Sequence, residues 1–188
     1  MTIGLAVAAV GGCLLWNWLR VGVDGPLTIP ASVFVSHPVE PGLPVFFGEP
    51  VIENLSDSPV TIDKIWFEGA DELELGEVGL VVLEPDYYLD HVYYHYFEGG
   101  KPDDYASREV AKEDGWVVPP ESEGYTTSPY VIVTLKPGTP MGATGLLHIE
   151  YRHGLRRYEV VGAHHLVLCD KTQFTGSCPD PPAHLGFS

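Results

Sequence analysis

The chain has 188 residues, with 26 acidic and 10 basic side chains and a formal net charge of −16. This charge argues against a nucleic-acid-binding protein, because phosphates are bound by basic patches, and against docking on anionic lipid headgroups. The length suits one domain with a substantial hydrophobic core.

The first twenty residues differ from the rest of the chain. Residues 3–19 are uncharged and mostly apolar, and Arg20 ends the run. As a helix this run would extend roughly 25 Å, near the shortest length that spans a bilayer. Trp16 and Trp18 near its end resemble interfacial membrane anchors. We therefore predict an N-terminal membrane-directed helix in residues 1–20.

Other interpretations of this segment stay open. It also fits a cleaved signal peptide, although it lacks the basic start that such peptides have. Residues 10–13 (VGGC) loosely resemble a lipobox, with Cys13 as the lipidated residue. A buried core element is the remaining alternative.

The following residues show short β-rich stretches bounded by turn residues. Apolar alternation predicts a strand at residues 60–67, with a bulge at Lys64 where the alternation slips. A hairpin is expected at residues 152–155. The one helical suggestion is residues 103–114, where Ser107 can cap a short helix. The predicted strands cover residues 28–35, 44–54, 60–67, 73–83, 89–97, 130–135, 146–151, 157–161 and 165–169.

Seven or more short strands with Gly and Pro turns indicate an all-β fold of the sandwich type. Residues 39–42 (VEPG) and 48–54 (GEPVIEN), with the turn at residues 56–59, resemble the start of bacterial extracellular immunoglobulin-like modules. The resemblance covers about a third of the chain and brings no catalytic residues with it. It implies an immunoglobulin-like β-sandwich in residues 21–178, followed by a loose C-terminal tail at residues 179–188.

Cys169 and Cys178 stand close together in the segment LCDKTQFTGSCPDPP. Their spacing is unlike that of a zinc ribbon, and no second Cys-x-x-Cys motif completes a metal site. The nearby Gly and Pro residues favour a closed loop, so we predict a disulfide, the alternative being two unrelated thiols. Because disulfides persist in oxidising compartments, the domain is expected on the external (periplasmic or extracellular) side, although Arg20 alone would favour the cytoplasm.

Residues 84–124 form an acidic, tyrosine-rich insert that departs from such modules. It holds eleven acidic and three basic residues. Tyrosine offers a large, stiff contact area with a polar tip, and long ordered insertions are often functional. We expect the insert to bind a protein partner; the alternative is a loop that covers one edge of the sandwich. The candidate partner-binding residues are Asp86, Tyr87, Tyr88, Asp90, Tyr93, Tyr94, Tyr96, Asp103 and Asp104.

The sequence contains no metal-binding or catalytic motif. On the expected strand His91 and His95 lie roughly 13 Å apart, too far for one ion. No EF-hand spacing, nucleophile elbow, Walker loop or dinucleotide fingerprint is present. We therefore expect a non-catalytic accessory subunit of a membrane protein complex, with no metal or cofactor. The alternative is a metal-handling or hydrolytic extracytoplasmic protein that uses His and acidic residues.

Other polar residues have an expected place in the fold. His148 and Glu150 should share one face of a strand, whereas His164 and His165 should point to opposite faces. Residues 54–56 form an N-glycosylation sequon, for which a role in the turn that follows is a sufficient explanation.

Overall fold

The computed structural model describes residues 21–22, 25–29, 33–48, 51–83, 96–99 and 115–180. Regular structure in these ranges is β, apart from a short 3-10 turn at Glu121–Glu123, which confirms the predicted all-β class. The strands are, in chain order, β1 (Val21–Gly22), β2 (Leu27–Thr28), β3 (Val33–Val39), β4 (Pro44–Gly48), β5 (Glu53–Asn54), β6 (Val60–Phe67), β7 (Leu73–Leu83), β8 (Tyr96–Glu98), β9 (Trp116–Val118), β10 (Thr126–Leu135), β11 (Met141–Ala143), β12 (Leu147–His153), β13 (Arg156–Gly162) and β14 (His164–Asp170).

These strands form several sheets. The first sheet has the order β1-β13-β12-β6-β9, the second β7-β10-β4-β8 and the third β11-β14-β3, while β2 pairs with β5. Paired strands are antiparallel except for β1 with β13 and β3 with β14, which are parallel. β1 and β3 therefore pair with β13 and β14, which lie more than 100 residues later in the chain.

One hydrophobic core connects the three larger sheets. In β12, alternate side chains enter this core, as expected for a strand that is buried on one face. β4 is buried on both faces, because Phe46 packs with Val81 and Tyr130 in a second, smaller cluster. Fully burying such side chains stabilises a fold by roughly 1.5–3 kcal/mol each, before the entropy cost of ordering the chain. Central members of the core are Val60, Ile62, Val131, Val133, Leu147, Ile149, Leu166 and Leu168.

The slip in the apolar pattern of β6 is a β-bulge. The register between β12 and β6 shifts between Glu150 and Tyr151, which leaves Asp63 without an opposite residue. The bulge lets Ile62 and Ile65 both face the core although they are three positions apart. The sequence placed the bulge at Lys64, one residue away.

The predicted hairpin joins β12 to β13, with Gly154 in the left-handed region at φ +60°. The sequence did not predict three short strands, β1, β9 and β11. They have only two or three residues each, too few for a periodic signal.

Two sequence-based predictions about helices fall outside the described residues. The N-terminal segment, with Trp16 and Trp18, is one of them, and the short helix at residues 103–114 is the other. Within the described ranges, no helix is long and apolar enough to cross a membrane.

A buried tyrosine fixes the position of the short β2–β5 pair. The hydroxyl of Tyr151 in β12 accepts a hydrogen bond from the backbone N–H of Leu27 at 3.2 Å. The N–H of Leu55 donates to the carbonyl of Pro26 at 2.9 Å. These bonds hold β5 and the turn after it against the end of the first sheet, where the candidate site lies.

Candidate functional site

Two adjoining cavities lie where β5, the residues after β9 and the start of β10 meet. Each has a volume of about 250 Å³, and both are lined by Asn54 and Glu121. We call the two cavities together the acidic groove. Its defining residues are Glu53, Asn54, Leu55, Asp57, Glu121 and Tyr125.

Backbone pairing holds the floor of the acidic groove. The N–H of Ile52 donates to the carbonyl of Thr127 at 2.9 Å, which joins the segment before β5 to β10. Glu53 then pairs with Thr28 in the short β2–β5 ladder. The Glu53 backbone is therefore held from two sides, and the residue lines the cavity.

Asn54 fixes the rim of the groove. Its side chain is buried, and its Nδ2 donates to the carbonyls of Ser58 at 2.8 Å and Val118 at 3.1 Å. Its Oδ1 accepts from the N–H of Ser56 at 3.1 Å. The amide thus ties the turn after β5 to β9, which confirms its role in the turn. An amide nitrogen engaged in this way leaves no room for a glycan on Asn54 in the folded protein.

The opposite wall is the 3-10 turn that follows Pro119 and Pro120. The N–H of Gly124 donates to the carbonyl of Glu121 at 2.8 Å. Gly124 adopts a φ of +75°, a left-handed conformation that glycine takes without the penalty of a side chain. The turn places Glu121 in the lining of the same cavity as Glu53.

The charges of the groove are not neutralised from within it. Burial, and after it the negative charge of Glu121, raises the pKa of Glu53. Among the described residues, no hydrogen bond or ion pair joins the carboxylate of Glu53 or Glu121 to another side chain. Leu55 and Tyr125 at the rim are exposed by 60% and 43%. The groove therefore combines two acidic residues without a described basic partner and accessible apolar surface.

A second charged region has the opposite arrangement. We call it the paired face: Asp63, Glu68, His148, Arg152 and Glu159, on the outer side of the first sheet. His148 places Nδ1 at 2.6 Å from a carboxylate oxygen of Glu159 and Nε2 at 2.8 Å from one of Glu68. Arg152 Nε donates to Asp63 Oδ1 at 2.8 Å. As predicted, His148 lies on the same face as Glu150.

Aromatic stacking supports the paired face. The His148 ring lies on the Trp66 ring with centroids 4.9 Å apart, and the Lys64 ammonium lies 4.4 Å from the Trp66 centroid. Both ring nitrogens of His148 lie within hydrogen-bond distance of carboxylates of this chain, so neither is directed at a ligand. Nowhere in the described ranges do three or more His, Cys, Asp or Glu form a group that could hold a metal ion.

Ser58 and His153 form the arrangement closest to a nucleophile with its base. Ser58 Oγ lies 2.9 Å from His153 Nε2, at an exposed position. In the described part of the chain, no acid is bonded to His153 Nδ1 to orient the ring, as catalytic triads require. The contact joins the turn after β5 to β12.

The structure brings Cys169 and Cys178 together at disulfide-bonding distance, with their Cα atoms 5.6 Å apart. This agrees with the pairing predicted from their spacing. Cys169 is fully buried in β14, and the loop that follows it begins at Asp170, which accepts hydrogen bonds from the N–H and hydroxyl of Thr172. Those bonds lower the pKa of Asp170.

His164 begins the same strand and is 1% exposed. Burial, followed by the charge of His165, lowers the pKa of His164 to about 4. His165 is less buried, in keeping with the prediction that the two rings point to opposite faces. His164 therefore stays neutral in the folded protein near pH 7.

Most of the predicted partner-binding residues fall outside the described ranges. Only Tyr96 is described, as the first residue of β8. The others, together with His91 and His95, are Asp86, Tyr87, Tyr88, Asp90, Tyr93, Tyr94, Asp103 and Asp104. The described part of the insert is residues 96–99 and 115–124, and the latter range supplies one wall of the acidic groove.

Sequence reasoning did not find the groove itself. Glu53 and Glu121 lie far apart in the chain, and neither belongs to a motif. The only signal in the sequence is the Pro119-Pro120 pair immediately before Glu121, which indicates a rigid turn inside the acidic insert.

Comparison with known proteins brings no relative to this arrangement. No protein-family model matches the chain, and no curated protein shows significant similarity to it.

Proposed function

We propose that this chain is a non-catalytic binding protein that serves as an accessory subunit of a membrane complex. In this proposal an immunoglobulin-like β-sandwich is tethered by residues 1–20 and faces the periplasm or the cell exterior. The observation that supports binding most is the acidic groove. It places Glu53 and Glu121, neither bonded to a described side chain, near exposed Leu55 and Tyr125, whereas the acids of the paired face have basic partners within the chain.

The position of the groove also supports a role for the insert. Pro119, Glu121 and Gly124 line the groove and belong to the end of residues 84–124. Residues of the insert that carry the predicted binding tyrosines lead into this wall along the chain. A partner seated at the groove would therefore contact the end of the segment that the sequence marks as a binding surface.

The cysteine pair supports the external location. A disulfide of this kind persists where the surroundings are oxidising and is rare in the cytosol. We expect natively isolated protein to resist alkylation at both Cys169 and Cys178 until it is reduced. Two free thiols in the intact mass of the unreduced protein would contradict both the bond and the external location.

Photocrosslinking in native membranes tests the binding function. A photoreactive phenylalanine analogue at Tyr125 or Leu55 should capture a membrane protein that mass spectrometry can identify. The matched control is Leu155, which is 80% exposed at the hairpin between β12 and β13. The full-length chain should fractionate with membranes. Recovery in the soluble fraction without detergent would contradict the tether, and equal capture from Tyr125 and Leu155 would contradict a groove-centred interface.

A hydrolytic function is the second candidate, because Ser58 and His153 lie within hydrogen-bond distance. A fluorophosphonate probe that labels the protein, but not a Ser58→Ala variant, would support hydrolysis and contradict the binding proposal. We expect no such labelling, since no described acid orients the His153 ring.

A further inference from the structure

We infer that the acidic groove binds an arginine or lysine side chain presented by an extended segment of the partner protein. The inference rests on the proposed binding function and adds the chemistry of the partner.

The charge of the groove is unbalanced. Glu53 and Glu121 line one cavity, and no described side chain forms a hydrogen bond or ion pair with either carboxylate. Burial, and after it the negative charge of Glu121, raises the pKa of Glu53, so both effects disfavour its ionised form. A cationic side chain placed between them relieves the repulsion and forms two charge-assisted hydrogen bonds. A neutral or acidic occupant would leave the repulsion in place.

The shape and the walls of the groove also suit a basic side chain. A cavity of about 250 Å³ lies below the usual range for drug-sized ligands and suits one or two side chains. Pro119 and Tyr125 supply apolar surface along it. Arg and Lys have long apolar stems with a charged end, so they match walls of this kind, and Arg also stacks on aromatic rings.

The second cavity extends the groove past Asn54 and Glu121 to Leu55, Asp57 and Ser122. A partner segment that places one basic side chain beside Glu53 can therefore extend into this second cavity, which is lined by Asp57 and the exposed Leu55. This favours an extended segment that alternates basic and apolar residues over a free amino acid.

A metal ion is a poorer match for the same groove. Calcium takes six to eight oxygen ligands, and the described residues provide no group of three or more metal-binding side chains. Guanidinium and ammonium groups need only the two carboxylates. The net charge of −16 would also attract a basic segment over a long range and raise its association rate.

The test is an NMR titration of the full-length ¹⁵N-labelled chain in a mild neutral detergent. The probe is the peptide acetyl-GLRGLRG-amide, and its matched control carries citrulline at both arginine positions, which keeps the shape and removes the charge. The arginine peptide should shift the amide signals of Asn54, Ser122 and Gly124. The citrulline peptide should bind at least about five-fold more weakly, as expected for the loss of a charged partner.

Matched variants separate the groove from general attraction to an acidic protein. Glu53→Gln with Glu121→Gln should weaken binding of the arginine peptide by about five-fold or more. Glu74→Gln with Asp180→Asn removes the same charge at exposed positions outside the groove and should change the affinity less than about two-fold. Binding should also tighten as the pH rises through the pKa of Glu53, because the carboxylate then ionises.

Three results would overturn the inference: equal weakening in both double variants, signal shifts confined to other surfaces, or equal affinity for the citrulline peptide. Shifts of the same amides by calcium at lower concentration than by peptide would replace it with a metal site. If the peptide does not bind but Tyr125 still captures a membrane partner, the inference fails and the proposed function stands. If the peptide binds as expected but nothing is captured, the proposed function fails.

Discussion

The paired face and the acidic groove use similar side chains in opposite ways. On the paired face, His148 meets Glu68 and Glu159, and Arg152 meets Asp63, so each of these acids has a basic partner in the chain. In the groove, Glu53 and Glu121 line one cavity, and no described base is bonded to either. Charge alone therefore does not mark a binding site in this acidic chain. The informative feature is the combination of two acids without a described basic partner and a cavity that both of them line.

The two regions also differ in what their charges contribute to stability. Hydrogen bonds to charged groups contribute about 1.5–3 kcal/mol, whereas exposed ion pairs contribute about 0–1 kcal/mol. His148, with a side chain 12% exposed, belongs to the first class, and the more exposed Arg152–Asp63 pair to the second. The groove carboxylates contribute nothing favourable to folding, and their repulsion lowers stability slightly.

The largest predicted effect on stability comes from His164, which lies in the core outside both regions. When the pH is lowered, its effect on the free energy of unfolding should exceed the contributions of the paired face and the acidic groove. Its pKa of about 4 in the folded state lies below the ordinary 6.5, so the unfolded chain binds more protons between these values. The stabilisation is complete above pH 6.5 and is lost as the pH falls toward 4, by about 3 kcal/mol in all. His164→Met should flatten this part of the stability profile, measured by urea unfolding at several pH values.

The control for this experiment is His153→Gln, which removes an exposed histidine and should keep the acid sensitivity of the parent protein. Glu53 acts in the opposite direction from His164. Because its pKa is raised on folding, its contribution is present at low pH and is lost as the pH rises through the folded value. An unchanged pH profile in His164→Met would show that the buried ring does not limit acid stability.

Breaking the centre of the paired face should give the next largest effect. His148→Gln replaces a ring with two separated nitrogens by a side-chain amide whose donors lie on one nitrogen, so it cannot span the Glu68 and Glu159 carboxylates as the ring does. We expect the free energy of unfolding to fall by about 2 kcal/mol. The matched control is Arg152→Gln, whose exposed pair should matter by less than about 1 kcal/mol. Similar small losses in both variants would mean that burial and stacking on Trp66 do not strengthen the His148 contacts.

The smallest predicted effects test the difference between the two regions most directly, because the free energy of unfolding should change in opposite directions in the two variants. Glu159→Gln removes an acid that has a partner and should lower the free energy of unfolding by about 1 kcal/mol. Glu121→Gln removes an acid that repels another and should raise it by a few tenths of a kcal/mol. Chemical denaturation at pH 7 and low salt measures both changes. The comparison is wrong if both variants lose stability equally.

Local features of the fold could be predicted from the sequence, because they depend on neighbouring residues. The alternation in residues 60–67, the hairpin around Gly154 and the Cys169–Cys178 spacing each lie within a short stretch. The bulge was predicted within one residue because the apolar pattern shifts phase there. These are the features for which backbone periodicity and turn chemistry are sufficient.

Both charged regions depend on long-range register, which a single sequence does not contain. His148 meets Glu68 and Glu159 because β12 pairs with β6 on one side and β13 on the other. Alternation predicted the face on which His148 lies, but not its neighbours on the adjacent strands. Glu53 and Glu121 line the same cavity because the Asn54 side chain and the bridge between Ile52 and Thr127 hold two separate turns together. Such contacts are fixed by the assembled sheets and not by local spacing.

The parallel pairing of β3 with β14 has a consequence for biosynthesis. Residues 33–39 find their partner only when residues 164–170 have been made, so this sheet cannot form on a nascent chain before that point. Contacts between distant parts of a chain also slow folding, because a long loop must close before the contact forms. β3 thus remains without its native partner strand while all the residues between it and β14 are synthesised.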